Sequence, residues 1–321
     1  MAQPHTNGGY AFQPMRIQVR PGSKAERLYY HGAALPGQQW PMPKAIAPGI
    51  DPSPLDDLLF HGGKVVPQME FQNVYLGGEP SWVEQDIASI DTAIELAMQD
   101  KRLNNVVSQY FPHKAIDCSM RESFILDESK PSSVDESQVH ETVISLFDSG
   151  LIRKSDLDSC IFNLILPSGT SLKLDGASSL AGLGGYHGSV HIRRGKTKVT
   201  LYYSANVYSQ LLANGKENGI AVFDRPWKNV VGTLYHEINE FRTDADVNDA
   251  ISENNNDFLG WTSRDGKEVG DQPIFKAGEE GNLNLVFKEV QATTRKKRIP
   301  VQFLYSNVVH GAEGPIDKPH T

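Results

Sequence analysis

The chain has 321 residues, of which 39% are hydrophobic and 22% are charged, and its formal net charge is −8. This length and composition allow a sizeable core, in one large domain or two modest ones. The negative charge argues against nucleic acid or an anionic membrane as the main partner, and the sequence has no apolar run of about 18 residues that would predict a membrane span. The two cysteines, Cys118 and Cys160, lie beside apolar runs and are expected to be buried free thiols.

The N-terminal segment differs in composition from the rest. Residues 1–58 are rich in Pro, Gly and Gln and show no period of 2 or 3.6. We predict an extended arm that docks on a protein partner or on its own domain. The segment has no apolar region of the secretory type, so we expect a cytoplasmic protein or one exported by a non-classical route.

From residue 59 onwards, segments of strand and helix character alternate. The order predicts an α/β layer architecture. Ser81 is the predicted N-cap of the first helix, and Gly150 is predicted to end the third. The basic run at 294–298 is expected at the tip of a hairpin. The predicted strands are 69–77, 118–126, 160–167 and 196–208, and the predicted helices are 81–100, 102–111 and 135–150.

Residues 224–251, DRPWKNVVGTLYHEINEFRTDADVNDAI, are predicted to form one long helix. Asp224 is a suitable N-cap, and Pro226 fits the first turn, where its missing N–H is harmless. Apolar residues recur at helical spacing and form one stripe. They are Trp227, Val230, Val231, Leu234, Ile238 and Phe241.

The HEINE pentamer within this helix has the spacing of a metal site. His236 and Glu240 are four residues apart and share a face, so their side chains can hold one ion. Glu237 follows the first ligand, which is where metallohydrolases place the residue beside the ion-bound water. The alternative is that these residues form the solvated face of an ordinary helix.

Further candidate residues lie after the helix and in glycine-rich segments. Glu268 and Asp271 follow in KEVGD, and an open tetrahedral site needs a third ligand of this kind. His187 and His310 lie beside glycines, which allow close approach of the backbone, although a histidine in an ordinary turn would look the same. Three acids lie at the end of the predicted helix: Asp244, Asp246 and Asp249. Their charges interact unfavourably with the helix dipole, and we expect solvation to offset this cost.

Four stretches, in order, resemble the Exordium or phosphate-induced protein family of plants and its bacterial and fungal relatives. They are FHGGKVVPQMEFQNVYLGG, GGYHGS, YHEINEFRTDADV and KEVGD, and they extend from about residue 61 to residue 271. The plant members are secreted proteins linked to growth and nutrient response. The cysteine that follows GD in the plant pattern is missing from GDQPIF. The N-terminal segment does not resemble the plant signal peptide, so secretion by that route is not expected.

The resemblance implies roles for individual residues, because the family's helix is similar to the metal-binding helix of zincin peptidases. His236 and Glu240 would be ligands, Glu237 the general base and Asp271 the third ligand. The implied fold is a zincin-like α/β domain over residues 59–321, with a mixed sheet and a long metal-site helix. The likeness to zincin peptidases implies Zn²⁺ as the ion. Two carboxylates cancel the charge of a divalent ion and shift the preference towards harder ions, so Mn²⁺ and Ca²⁺ are the alternatives.

The sequence leaves three interpretations open. One is a metal-dependent hydrolase, with a peptidase as the favoured class, in which Glu237 is the base. Tyr235, His187 or His310 would then polarise the carbonyl of a peptide or protein substrate. The second is an inactive zincin-like binding or effector protein that uses the metal structurally. The third is that no metal binds.

Overall fold

The computed structural model describes residues 46–112, 114–294 and 297–320. The α-helices in these ranges are α1 (Glu84–Gln99), α2 (Lys101–Val107), α3 (Glu136–Ser149), α4 (Pro226–Thr243), α5 (Val247–Glu253) and α6 (Asp271–Glu279). The strands are β1 (Leu59–Phe60), β2 (Gln68–Tyr75), β3 (Asp117–Ile125), β4 (Ser133–Val134), β5 (Cys160–Ile165), β6 (Ser171–Leu174), β7 (Ala177–Ser178), β8 (Gly185–Arg194), β9 (Thr197–Asn206), β10 (Gln210–Leu211), β11 (Glu217–Asn218), β12 (Trp261–Thr262), β13 (Phe287–Gln291), β14 (Arg298–Gln302), β15 (Leu304–Ser306) and β16 (Gly311–Glu313).

A five-stranded sheet in the order β3-β2-β5-β9-β8 forms the centre of the fold. Strands β3, β2, β5 and β9 run parallel, and β8 pairs antiparallel with β9 at the edge. Helices α1 and α2 connect β2 to β3, and α3 connects β3 to β5. Parallel neighbouring strands require crossover connections of this kind. The predicted α/β architecture is therefore confirmed.

The two faces of the sheet bury different helices. In β5, Ile161 and Ile165 belong to the core cluster that includes residues of α1 and α4. The alternate residues Phe162 and Leu164 belong to the cluster that includes residues of α3. This alternation follows from the two-residue period of a strand, and burial on both faces explains why the segment is apolar except at Asn163.

Helix α4 lies inside the molecule. It packs against α1, against β8 and β9, and against β14, and nearly every residue from Asn229 to Thr243 is buried. The predicted stripe is confirmed at Leu234, Ile238 and Phe241, while Trp227 is only half-buried. The alternative of a solvated face at the HEINE residues does not apply, because β8 and the segment before α6 cover that side.

The prediction of one helix over residues 224–251 is wrong in its second half. Helix α4 ends at Thr243 and α5 begins at Val247. Asp244 leaves the helical conformation, and its buried carboxylate accepts the backbone N–H of Gly260 at 2.7 Å. The three acids at this end were expected to be solvated, but each has a protein partner: Gly260 for Asp244, Tyr202 for Asp246 and His191 for Asp249.

Two predicted helix caps are wrong. Asp224 precedes the N-cap residue Arg225, and its carboxylate pairs with Lys228 instead of capping the backbone. Ser81 lies in a 3₁₀ turn before α1, where its hydroxyl donates to the carbonyl of Gly77. The predicted end of α3 at Gly150 is confirmed, with a φ of 76° that favours glycine.

The described part of the N-terminal segment packs on the domain. Ile46 bridges Glu313 near the C-terminus, and Ala47 and Ile50 are buried. Residues 1–45 lie outside the described residues, so docking of the arm on a partner stays a prediction. Cys118 and Cys160 are buried and free, as predicted. Among the described helices, none combines the length and apolar character needed to cross a bilayer.

The basic run lies at a hairpin, as predicted. Strands β13 and β14 pair antiparallel, with Gln291 opposite Arg298. Residues 295 and 296 of the run lie outside the described part of the chain.

Candidate metal centre

Three separate segments bring acids and histidines together beside α4. The helix supplies His236, Glu237 and Glu240, the edge strand β8 supplies His187, and the segment at the start of α6 supplies Asp271. Glu237 and Glu240 are each 3% exposed and His187 is 5% exposed. The cluster is therefore largely withdrawn from water, and its more open side is formed by His236 and Asp271.

Two glycines provide the space for this convergence. A Cβ atom on Gly185 would lie 3.0 Å from Oε1 of Glu237, and one on Gly270 would lie 2.5 Å from Nδ1 of His236. Gly270 has ordinary helical angles of φ −88° and ψ −34°. The absence of a side chain at Gly270 therefore lets the backbone approach the imidazole ring closely. The unusual backbone conformation that its place before Asp271 suggested is not present.

The tautomer of His236 is fixed by Gln302. Nε2 of Gln302 donates to the carbonyl of Gly270, which turns Oε1 of the same amide towards the histidine. Nδ1 of His236 lies 3.0 Å from this oxygen, which can only accept, so Nδ1 carries the proton. In the neutral ring the lone pair is then on Nε2, which lies 3.0 Å from Oε2 of Glu240 and 3.8 Å from Oδ1 of Asp271.

The tautomer of His187 is fixed in the same way by a backbone carbonyl. Its Nε2 lies 3.1 Å from the carbonyl oxygen of Asp244, to which it donates. Nδ1 faces Oε2 of Glu237 at 3.6 Å and Oε2 of Glu240 at 3.7 Å. Metal-binding histidines typically donate the other ring N–H to a carboxylate, a backbone carbonyl or water. His187 donates to a backbone carbonyl, and His236 donates to the side-chain amide oxygen of Gln302.

Glu240 occupies the centre of the cluster. Its Oε1 accepts the backbone N–H groups of Gly270 and Asp271, at 3.2 and 3.1 Å. These bonds hold the carboxylate so that Oε2 faces both imidazoles. Glu240 therefore belongs to two groups of possible ligands among the described residues: one with His187 and Glu237, the other with His236 and Asp271.

The spacing of the donor atoms fits ion coordination. Several of the nitrogen–oxygen separations are 3.6–3.8 Å, which is too long for hydrogen bonds. Ligands at 2.0–2.2 Å around a tetrahedral ion are about 3.3–3.6 Å apart. The separation of 3.0 Å between His236 and Glu240 is shorter and would open slightly around an ion.

Negative charge exceeds positive charge in this buried region. Burial and the neighbouring charge of Glu240 raise the pKa of Asp271 to about 6 and that of Glu268 well above its usual value. Burial alone would lower the pKa of His236, but the charges of Glu240, Glu237 and Asp271 outweigh it and raise that pKa well above the ordinary value. The pKa of His187 is raised for the same reason, against the effect of its burial.

Two buried carboxylate oxygens of the cluster have no hydrogen-bond partner. They are Oε1 of Glu268, 3.6 Å from Nε2 of His187, and Oδ2 of Asp244. A buried carboxylate oxygen without a hydrogen-bond partner is costly. The orientation of the histidine lone pairs, the coordination distances and these two oxygens together fit a divalent cation.

The other predicted site residues lie elsewhere. Tyr235 is buried in the core, where burial raises the pKa of its hydroxyl and the nearest charges acting on it belong to Arg242 and Asp100. His310 pairs with Asp57 at 2.9 Å. Neither is placed to polarise a carbonyl at the cluster. Glu268, the other acid of KEVGD, lies beside the cluster, with Oε1 3.6 Å from Nε2 of His187.

Sequence reasoning missed two members of the site. Asp244 was expected to be solvated, but its carbonyl orients His187. Gln302 comes from β14, some sixty residues along the chain from His236. A single glutamine in a strand carries no pattern that could have revealed this contact. No protein-family model matches the chain, and no curated protein or solved structure was found to be similar to it.

Proposed function

We propose that the protein is a metal-dependent hydrolase whose ion is held by His236, Glu240 and Asp271. The observation that carries the proposal is the fixed tautomer of His236, which directs a ring nitrogen at the free oxygen of Glu240. A divalent ion bound there would lower the pKa of a coordinated water molecule and polarise a carbonyl group. Zn²⁺ is the favoured ion, with Mn²⁺ or Ca²⁺ as alternatives for this carboxylate-rich set.

The chain's own residues have distinct tasks in this proposal. Gln302 and the backbone of Gly270 and Asp271 orient the ligands. Glu237 follows the first ligand and is the general base when a single ion is bound. The partly exposed side chains of His236 and Asp271, 12% and 25% accessible, mark the side from which substrate approaches. His187 is buried behind Glu237, so a role in polarising substrate is not favoured.

A peptide or protein is the proposed substrate. One support is the likeness of the HEINE helix to the metal-binding helix of zincin peptidases. The other is that α4, which carries two of the ligands, is a long helix packed beside a mixed sheet. Membership of the Exordium family and a zincin-like fold remain part of the proposal.

A second candidate function is a non-catalytic protein in which the metal stabilises the fold. The deep burial of Glu237 and Glu240, each 3% exposed, favours it, because structural ions are closed off whereas catalytic ions keep an open position.

One activity experiment separates the two functions. Metal-free protein is reloaded with Zn²⁺ and assayed on a library of quenched fluorescent peptides, beside Glu237→Gln and the exposed control Glu253→Gln. The hydrolase proposal predicts turnover that requires Zn²⁺, falls at least about 100-fold in Glu237→Gln, and persists in the control. Zinc binding without turnover supports the structural role, and failure to bind zinc contradicts both.

A further inference from the structure

We propose that the cluster holds a second divalent cation, between Nδ1 of His187, Oε2 of Glu237 and Oε2 of Glu240. Glu240 would be shared with the first ion, which makes the centre dinuclear. This inference rests on the proposed function, because it adds an ion to the same site.

The donor atoms of the second site are arranged as they would be around an ion. Nδ1 of His187 lies 3.6 Å from Glu237 and 3.7 Å from Glu240, and the three ligand atoms lie within 4.8 Å of one another. Ligands of a tetrahedral ion with bonds of 2.0–2.2 Å are about 3.3–3.6 Å apart. Little movement is needed to receive the ion.

The orientation of His187 is an independent argument. Its Nε2 proton is donated to the carbonyl of Asp244, so the neutral ring directs a lone pair at two carboxylates. A lone pair facing carboxylate oxygens is repulsive unless a cation, either a proton or a metal ion, lies between them. The same arrangement at His236 means that the cluster holds two such positions, one on each side of Glu240.

With all five carboxylates ionised, the charge of the surroundings also favours more than one cation. The group contains the carboxylates of Glu237, Glu240, Asp244, Glu268 and Asp271. Oε1 of Glu268 is buried without a hydrogen-bond partner and lies 3.6 Å from the His187 ring. One divalent ion would leave three of five formal negative charges uncompensated in a region nearly closed to water, and a second divalent ion leaves one.

The second ion changes the role of Glu237. Its oxygen faces His187, so in the dinuclear form it is a ligand rather than the general base. Two-metal hydrolases use their pair of ions to hold both the attacking and the leaving oxygen. One imidazole and two carboxylates suit Zn²⁺ or Mn²⁺.

The test counts ions. The full chain is stripped with a chelator, reloaded with Zn²⁺, desalted, and analysed for zinc per chain by mass spectrometry. We expect two zinc ions in the wild type and one in His187→Gln, in the nearly isosteric Glu237→Gln, and in Asp271→Asn. His191→Gln is the matched control, because His191 lies on the same strand but pairs with Asp249 outside the cluster, and it should keep two.

A spectroscopic readout complements the count. Loading with Mn²⁺ should give the electron paramagnetic resonance signal of a coupled pair in the wild type, and an isolated-ion signal in His187→Gln and Glu237→Gln. Circular dichroism of each metal-free variant verifies that it folds, and if His187→Gln does not fold, Glu237→Gln decides the result.

The outcomes separate this inference from the proposed function. One zinc ion in the wild type that is retained in both His187→Gln and Glu237→Gln, and lost in Asp271→Asn, overturns the second site and leaves the single-ion hydrolase intact. Two ions that persist in His187→Gln and Glu237→Gln would place the second ion elsewhere and also overturn the inference. No bound ion would contradict both proposals.

Discussion

Gln302 and His236 form a hydrogen bond of 3.0 Å, although they lie on β14 and α4 and are 66 residues apart in the chain. The contact decides which ring nitrogen of His236 faces the carboxylates. It makes an uncharged amide, far from the helix motif, a positioning residue of the site.

Replacing Gln302 with Leu should weaken zinc binding about 10–100-fold, the usual cost of losing a residue that orients a metal ligand. Leucine preserves the volume but leaves Nδ1 of His236 without its acceptor and frees the ring to adopt the other tautomer. Competition with a chromophoric chelator measures the affinity. Gln72→Leu, a buried strand glutamine that bonds Glu122, is the control, and equal losses in both variants would contradict the role of Gln302.

Replacing Glu240 with Gln should separate metal binding from intrinsic stability. The amide oxygen can still accept from Gly270 and Asp271, and one negative charge is removed from an overcharged cluster, so the melting temperature of the metal-free protein should stay equal or rise. Zinc at 100 times its Kd should add about 2.7 kcal/mol to the wild type and almost nothing to the variant. Differential scanning calorimetry measures both. A zinc-induced rise in the variant equal to that in the wild type would exclude Glu240 as a ligand.

Substituting Ala at Gly270 should destabilise the protein by about 1–3 kcal/mol, the range for overpacking. The new methyl group would lie 2.5 Å from Nδ1 of His236, and the ring is held by Gln302 and Glu240. Gly278→Ala, inside the helix α6 that Gly270 precedes, meets no atom within 4 Å and should instead stabilise by about 0.5–1 kcal/mol. Urea unfolding of both metal-free variants checks the contrast, and similar values would show that Gly270 is not tightly packed.

The metal-free protein should become less stable as the pH rises from about 4 to 8. Folding raises the pKa of Asp271 from 3.8 to about 6, so between these values the folded state binds more protons than the unfolded state, and stability falls with pH. The contribution is of the order of 3 kcal/mol, since each pKa unit corresponds to about 1.4 kcal/mol. The raised pKa values of His187 and His236 act in the same direction. The stability that these histidines contribute is complete below about pH 6.5 and is lost as the pH rises through their pKa values in the folded state.

Saturating zinc should reverse this slope, because its ligands bind in deprotonated form. Thermal melts at pH 5 and pH 8, with and without zinc, measure the effect, and Asp271→Asn should flatten the metal-free curve. A metal-free protein that is more stable at pH 8 than at pH 5 would contradict the raised pKa values of Asp271 and the two histidines.

Much of the fold followed from local patterns in the sequence. The two-residue period of β9, the apolar run of β5 and the stripe of α4 are set by which side chains must leave water, so they could be predicted without a structure. The i, i+4 spacing of His236 and Glu240 likewise fixed their common face, because helix geometry alone determines it.

Tertiary structure decided what those residues face. The sequence could not tell whether the HEINE side of α4 was wet, since that depends on β8 and the start of α6 packing against it. It could not reveal that Asp244 ends the helix, because the partners of Asp244 are Gly260 and His187. The direction of each imidazole depends on Gln302 and on the Asp244 carbonyl. Contacts between distant segments leave no periodic trace in the chain. This is why the sequence showed the helix motif and several candidate residues but not how they converge or which residues orient them.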